Sequence, residues 1–169
     1  MSGLSVGGLR GPKEHATAGV FLRLAPVVLP PGCMAKRAKT ILLVEDNDEV
    51  RGLLALFMKR LGYTVFEAAT GLEAIDRAST AHPDLILMDL RLPGMNGDDV
   101  TAQLKATPST RDIPVLITTG YLAARQVKRA FDSGAAEVLY KPIDVTMLRD
   151  VLRRYLSART KKRRSPRKS

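Results

Sequence analysis

Leu85-Ile86-Leu87-Met88-Asp89, continued by Leu90-Arg91-Leu92-Pro93-Gly94-Met95-Asn96-Gly97, is the stretch on which the reading of this chain turns. An apolar run ends abruptly in a carboxylate, and a Pro-Gly pair and a second glycine follow. A short unbroken apolar run bounded by turn signals predicts a strand buried on both faces, as in a parallel sheet. Open α/β sheets bind ligands beyond the carboxyl ends of such strands, so Asp89 stands where chemistry is expected. Aspartate is also a good turn residue. The stretch alone leaves open whether Asp89 does more than start the turn.

The pattern recurs on both sides. Residues 40–44 (Thr-Ile-Leu-Leu-Val) form a β-rich run ending at Glu45-Asp46, and residues 63–68, 113–118 and 136–140 are further strand candidates, the last ending at Lys141-Pro142. Between them lie helical spacings. After Asn47 or Asp48 as cap, Val50, Leu53, Leu54, Phe57, Met58 and Leu61 recur until Gly62 closes the helix. Residues 71–80 carry Leu72, Ala74, Ile75 and Ala78. Asp98 or Asp99 starts a helix to about Thr107, and residues 121–133 form one stopped by Gly134. Asp144 caps a last helix whose apolar face is Val145, Leu148, Val151, Leu152, Tyr155 and Leu156. His82, before Pro83, reads as a turn residue. Five strands alternating with five helices predict an α/β fold, a doubly wound parallel sheet with helices on both faces. The right-handed crossover rule leaves few strand orders, the flavodoxin-like 2-1-3-4-5 among them. Periodicity does not choose between them.

The charge is unevenly spread. Of the formal +10 over 169 residues, residues 1–38 hold five Lys/Arg against one acid, residues 39–158 fifteen against sixteen, and residues 159–169 seven against none. The core is near neutral, so the high pI does not argue for a nucleic-acid-binding domain. Nucleic acid is open only to the basic tail, which has no aromatic residue for base stacking and no apolar anchor for a membrane; a solubilising tail is the plainer reading. No apolar run approaches the roughly 18 residues of a membrane span, so no membrane insertion is expected. The single Cys33 fits a reducing compartment. Residues 1–38 are rich in Gly, Pro and Ala and are interrupted by Arg23 and Pro26. They read as a disordered extension, with Met34 as an alternative start, rather than as a secretory signal. The expected organisation is a disordered 1–38, a folded 39–158 and a disordered basic tail 159–169 too short for an effector domain.

In a parallel sheet Glu45, Asp46, Asp89, Thr119 and Lys141 share one edge. Two carboxylates about 4 Å apart repel by around 4 kcal/mol at an effective dielectric of about 20, so three of them need cations. Lys141 is one. A hard divalent ion is the natural other, and Mg²⁺ suits one or two carboxylates with waters and a phosphate oxygen. A carboxylate can also act as a nucleophile toward phosphorus.

Leu43-Val44-Glu45-Asp46-Asn47, the run Met88 through Gly97, Pro114-Val115-Leu116-Ile117-Thr118-Thr119-Gly120, and Gly134-Ala135 through Lys141-Pro142 together resemble the receiver domain of two-component response regulators, across residues 40–158. The resemblance implies the 2-1-3-4-5 order. It implies Asp89 as phosphoacceptor, and Mg²⁺ held by Glu45, Asp46, Asp89 and the backbone carbonyl of Arg91. Lys141 would pair with Asp89 and then with the phosphoryl oxygens. Thr119, a better match than Thr118, would supply the responding hydroxyl. The Lys141-Pro142 bond is often cis in this family. The partners implied are a sensor histidine kinase or histidine phosphotransfer protein and a downstream protein target on the 121–158 face, in the cytoplasm. Such a domain catalyses only its own phosphorylation and dephosphorylation and is not a turnover enzyme.

One position departs from the family. Val138 stands where Tyr or Phe is frequent, so the readout is expected to run through the loop after Thr119 or through Tyr140. Gly120 leaves space beside the phosphoryl, which points to a short-lived phosphorylated state. Two rival readings are a module that docks without phosphate, suggested by Val138 and opposed by the intact acids, and a flavin carrier. The carrier needs a phosphate-cradling loop where this chain has Glu45-Asp46-Asn47-Asp48-Glu49.

Overall fold

A computed structural model describes residues 37–120 and 123–164. In chain order they form β1 (Thr40–Val44), α1 (Asp48–Arg60), β2 (Thr64–Ala68), α2 (Gly71–Ala81), β3 (Leu85–Asp89), α3 (Gly97–Ala106), β4 (Val115–Thr119), α4 (Ala124–Asp132), β5 (Glu137–Tyr140) and α5 (Val145–Arg164). The five strands make one parallel sheet in the order β2-β1-β3-β4-β5. The expectations for residues 1–36, with Met34 and Cys33, and for 121–122 and 165–169 fall outside the described residues.

Strand alternation divides the core into two layers. Leu42, Val44, Ile86, Met88, Val115 and Ile117 face Ala74 and Ala78 of α2 and Val100 and Leu104 of α3. Ile41, Leu43, Leu85, Leu87, Leu116 and Leu139 face Leu54 and Met58 of α1 and Leu148, Leu152 and Leu156 of α5. Every residue of β1, β3 and β4 is buried, which is why these runs are continuous rather than alternating in sequence.

The helix ends follow local chemistry. Asn47 caps α1, its side-chain oxygen accepting from the Val50 N–H at 3.0 Å, and Gly62 follows at φ +87°, a left-handed conformation that glycine adopts without cost. His82 ends α2 in the left-handed region at φ 45°, the turn role expected of it. Asp144 caps α5, accepting at 2.8 Å from the N–H groups of both Thr146 and Met147.

Three helix expectations are corrected. On α1 the buried stripe is Leu54, Ala55 and Met58; Leu53, about 100° round the helix from Leu54 on the side away from Ala55, is 70% exposed, and Val50, in the first turn, is exposed as well. Leu72 on α2, two residues round the helix from buried Ala74 and so on its other face, and Val145, the first residue of α5, are likewise exposed. The helix expected to stop at residue 158 runs on to Arg164. Arg and Lys are good helix formers, and a charged run that continues an existing helix avoids the cost of nucleating one.

The sheet edge remote from the acids carries a buried ionic clamp that the sequence pattern does not show. Asp84 accepts from the Thr40 N–H at 3.1 Å, from the Thr40 hydroxyl at 3.3 Å and from Lys39 Nζ at 3.1 Å. Burial opposes its charge, but the hydrogen bonds from Thr40 and Lys39 and the Lys39 charge outweigh burial and hold its pKa below the usual carboxylate value. A depressed carboxylate stabilises the fold above its unfolded-state pKa and loses that contribution as pH falls through the folded-state value. Asp84→Asn is therefore expected to cost about 1–3 kcal/mol at pH 7, with the difference from wild type closing below about pH 4. Urea midpoints measured across that range check it.

Candidate functional site at the carboxyl edge of the sheet

Parallel pairing delivers the ends of β1, β3, β4 and β5 to one edge. Val44 is level with Met88, Asp89 with Thr118, and Thr119 with Tyr140. Glu45 and Asp46 leave β1, Asp89 is the last residue of β3, Thr119 the last of β4, and Lys141 follows β5. Carboxylate oxygens of Glu45, Asp46 and Asp89 lie within 4.8 Å of one another. Glu45 and Asp89 are buried and Asp46 is exposed. Lys141 Nζ donates to Glu45 Oε2 and to Asp89 Oδ2, each at 2.8 Å. The other Asp89 oxygen accepts from the Arg91 N–H at 3.3 Å, so the residue expected to offer its carbonyl also closes the turn over the carboxylate. Asp89, Arg91, Thr119, Gly120 and Lys141 line one open cleft.

All six residues singled out from the sequence are thus brought to one place. Both threonines are buried; the Thr118 hydroxyl donates to the Met88 carbonyl at 3.4 Å, and Thr119 is the one that lines the cleft. The Lys141-Pro142 bond is cis. Val138 is half-buried and packs with the α2–α3 layer. Tyr140, past buried Leu139 in the alternation, is 42% exposed.

The electrostatics express a shortage of positive charge. Burial pushes the Glu45 carboxyl above its ordinary pKa; the hydrogen bond from Lys141 opposes this, and the charges of Asp89 and Asp46 reinforce it. Burial alone would lower the Lys141 ammonium, but its hydrogen bonds to Asp89 and Glu45 and their charges outweigh burial and raise it. One ammonium shared by three carboxylates leaves an excess of two negative charges. Hard anionic oxygens within 4.8 Å of one another, around an opening, fit Mg²⁺ and not a softer metal, since among the described residues no His or Cys joins them.

Two contributors carry no such signal in the sequence. Gly97, buried at the start of α3, lies so close to β3 that an added Cβ would meet the Asp89 carbonyl oxygen at 2.2 Å. Arg51 on α1 donates to the Glu45 carbonyl at 2.8 Å. The first looks in sequence like an ordinary turn glycine and the second like a surface charge.

Comparisons with known proteins give the family of the chain. The family model described as response regulator receiver domain matches residues 41–153. Polar-differentiation response regulator DivK of Brucella ovis is 36% identical over 118 residues, 70% of this chain and 96% of that protein. Sporulation initiation phosphotransferase F of Bacillus subtilis (strain 168) is 34% identical over 116 residues, 69% of this chain and 92% of that protein. Among solved structures, the receiver domain of a sensor histidine kinase from Pseudomonas aeruginosa PAO1, with a magnesium ion coordinated in its active site cleft, superposes with a TM-score of 0.67 at 30% identity, over 71% of this chain and 98% of that one.

Proposed function

The chain belongs to the response regulator receiver family, and from that premise we propose that Asp89 is its phosphoacceptor and that Glu45, Asp46, Asp89 and the Arg91 carbonyl hold the Mg²⁺ typical of the family. The protein is a receiver of two-component signalling. The observation that carries the site assignment is Lys141 Nζ, bridging Glu45 and Asp89 at 2.8 Å beside the hydroxyl-lined cleft.

The chemistry asked of the residues is small. An Asp89 oxygen attacks the phosphorus of a phosphohistidine. The new O–P bond forms as the P–N bond breaks, and the electron pair of that bond stays with the imidazole. Lys141, bonded to Asp89 at 2.8 Å, can follow charge from Asp89 onto the phosphoryl oxygens. Thr119 lines the same cleft at the end of β4, and in this reading the added group draws in its hydroxyl and biases the chain that follows β4. Bound Mg²⁺ would neutralise charge on the entering oxygens. The same residues serve phosphorylation and hydrolysis, so the domain acts on its own carboxylate and not as a turnover enzyme.

The donors proposed are a sensor histidine kinase or a histidine phosphotransfer protein, and the compartment proposed is the cytoplasm. A downstream protein target is proposed for the 121–158 face, where Phe131 on α4, Tyr140 on β5 and Met147 on α5 are exposed by 50%, 42% and 41%. Nucleic acid remains confined to the basic residues from 159 onward.

Intact mass after incubation with a small phosphodonor tests the assignment. One phosphoryl adduct is expected with Mg²⁺ and none after chelation. Folded protein that binds Mg²⁺ but gains no adduct would favour the phosphate-independent docking module. A second expectation concerns lifetime. Gly120 is exposed, and an added Cβ would meet nothing within 4 Å. Gly120→Ala should therefore fold normally yet narrow the approach of water and prolong the adduct. An unchanged, slow decay would show that Gly120 does not govern water entry.

A further inference from the structure

We propose that Arg51 is a positioning residue for the acidic pair, fixing the peptide that carries Glu45 and Asp46 so that their carboxylates are preset for a divalent cation; this rests on the Mg²⁺ reading given above.

Arg51 sits one turn into α1 with its side chain only 17% exposed. One guanidinium nitrogen, Nη1, donates to the backbone carbonyl of Glu45 at 2.8 Å. A second, Nη2, bonds the Asp48 carboxylate at the first position of α1. Nε lies 3.9 Å from the Glu67 carboxylate on β2. One planar group thus bonds the peptide that follows β1 and the start of α1, and lies near a carboxylate of the neighbouring strand. A guanidinium presents its donors in a fixed fork, so the Glu45 carbonyl and the Asp48 carboxylate are held in mutual orientation, with Glu67 adding a longer charge attraction.

The Glu45 carbonyl matters because of what its peptide plane joins. On one side is the buried Glu45, whose own N–H is tied to the Ala68 carbonyl at 3.1 Å. On the other is Asp46, exposed, with no side-chain hydrogen bond given to it by Lys141, which reaches only Glu45 and Asp89. Bonds at both ends of Glu45 leave little freedom in the rotation that sets where Asp46 points. Carboxylates that repel one another swing apart unless the backbone beneath them is fixed, and a loop free to open would have to be closed again at the expense of cation affinity.

Charge and position predict opposite signs. Arg51 is a cation near a cation site, so as a bare charge it opposes metal binding, and removing it would tighten the site. As a positioning group it favours binding, and removing it weakens the site; changes to groups that orient metal ligands typically cost about 10- to 100-fold in affinity.

The test is calorimetric titration of the full chain with Mg²⁺ alone, with no phosphodonor, for wild type, Arg51→Ala and Arg51→Lys, alongside metal-free urea unfolding of each. Affinity is expected to fall about 10-fold in Arg51→Ala. It should fall nearly as far in Arg51→Lys, which keeps the charge but not the fork. Unchanged or tighter binding by Arg51→Ala, with wild type binding normally, overturns the positioning role alone. So does a loss no greater than the unfolded fraction present at the assay temperature, and so does full affinity in Arg51→Lys. A wild type that binds no Mg²⁺ overturns the metal reading, and this role with it.

Discussion

Asp89→Asn is expected to form no phosphoryl adduct under conditions that label the wild type, while making the metal-free protein more stable. The first effect follows because an amide cannot replace the carboxylate as nucleophile. The second follows from the count of charges. Asp89 stands with Glu45 and Asp46, all three oxygens within 4.8 Å, and each such pair repels by about 3–4 kcal/mol at an effective dielectric near 20. Against those two repulsions Asp89 has one attraction, to Lys141. The amide oxygen can still accept the Arg91 N–H that Asp89 Oδ1 accepts now, and Lys141 keeps Glu45. Removing the charge should therefore gain about 1 kcal/mol or more without Mg²⁺ and reduce the stabilisation that Mg²⁺ confers. Intact mass and paired urea titrations with and without Mg²⁺ check both. A metal-free midpoint below that of wild type would mean that the Lys141 bond outweighs the two repulsions.

Gly97→Ala is expected to be the most damaging single methyl in the domain. Its Cβ would lie 2.2 Å from the Asp89 carbonyl oxygen, 2.9 Å from Met88 Cγ and 3.0 Å from the Asp89 carbonyl carbon. The obstruction is mostly backbone, and Gly97 cannot retreat, because its N–H is bound to the Leu90 carbonyl at 2.8 Å. Relief requires moving either α3 or the last residue of β3, which is the residue proposed to take the phosphoryl. The cost is about 3 kcal/mol, read as a lower urea midpoint at unchanged slope, with a matching loss of adduct in the fraction that remains folded. Gly52→Ala is the control. It sits within α1 with nothing within 4 Å of its added Cβ, and the same substitution there should stabilise by about 0.5–1 kcal/mol. If the two variants behave alike, steric crowding at Gly97 is not what selects glycine there.

The contrast between these glycines marks where sequence reasoning stops. Glu45, Asp46, Asp89, Thr119 and Lys141 were legible because each follows an apolar run, and parallel topology converts "end of a strand" into "same edge" with no knowledge of distances. Asp84, Arg51 and the pairing of buried Asp98 with Arg129 at 2.8 Å were not. Their partners lie on other elements, and a lone charge in sequence carries no mark of what it will meet. The α1 face was misjudged for a related reason. With apolar residues at 50, 53, 54, 57, 58 and 61, more than one stripe is hydrophobic, and only packing against the sheet decides that Leu54 and Met58 go in while Leu53 stays out. The run from Arg159 was read as disordered from its charge, although the same residues are good helix formers and α5 reaches Arg164.

Lys141 is joined to Glu45 across 96 residues and to Asp89 across 52, and this separation bears on how the protein comes into being. Synthesis runs from the amino end, so β1 and β3, with all three acids, emerge before the lysine that neutralises them. β3 can then pair beside β1, drawing like charges together with no ammonium to hold them. Contacts across such long stretches are late and slow to close. The edge strand β5, the last to be made, delivers Lys141, so its docking is the step that relieves the repulsion accumulated at the centre of the sheet. The three acids are therefore made and paired before their ammonium arrives, and the cluster at the sheet edge is neutralised only once β5 is in place.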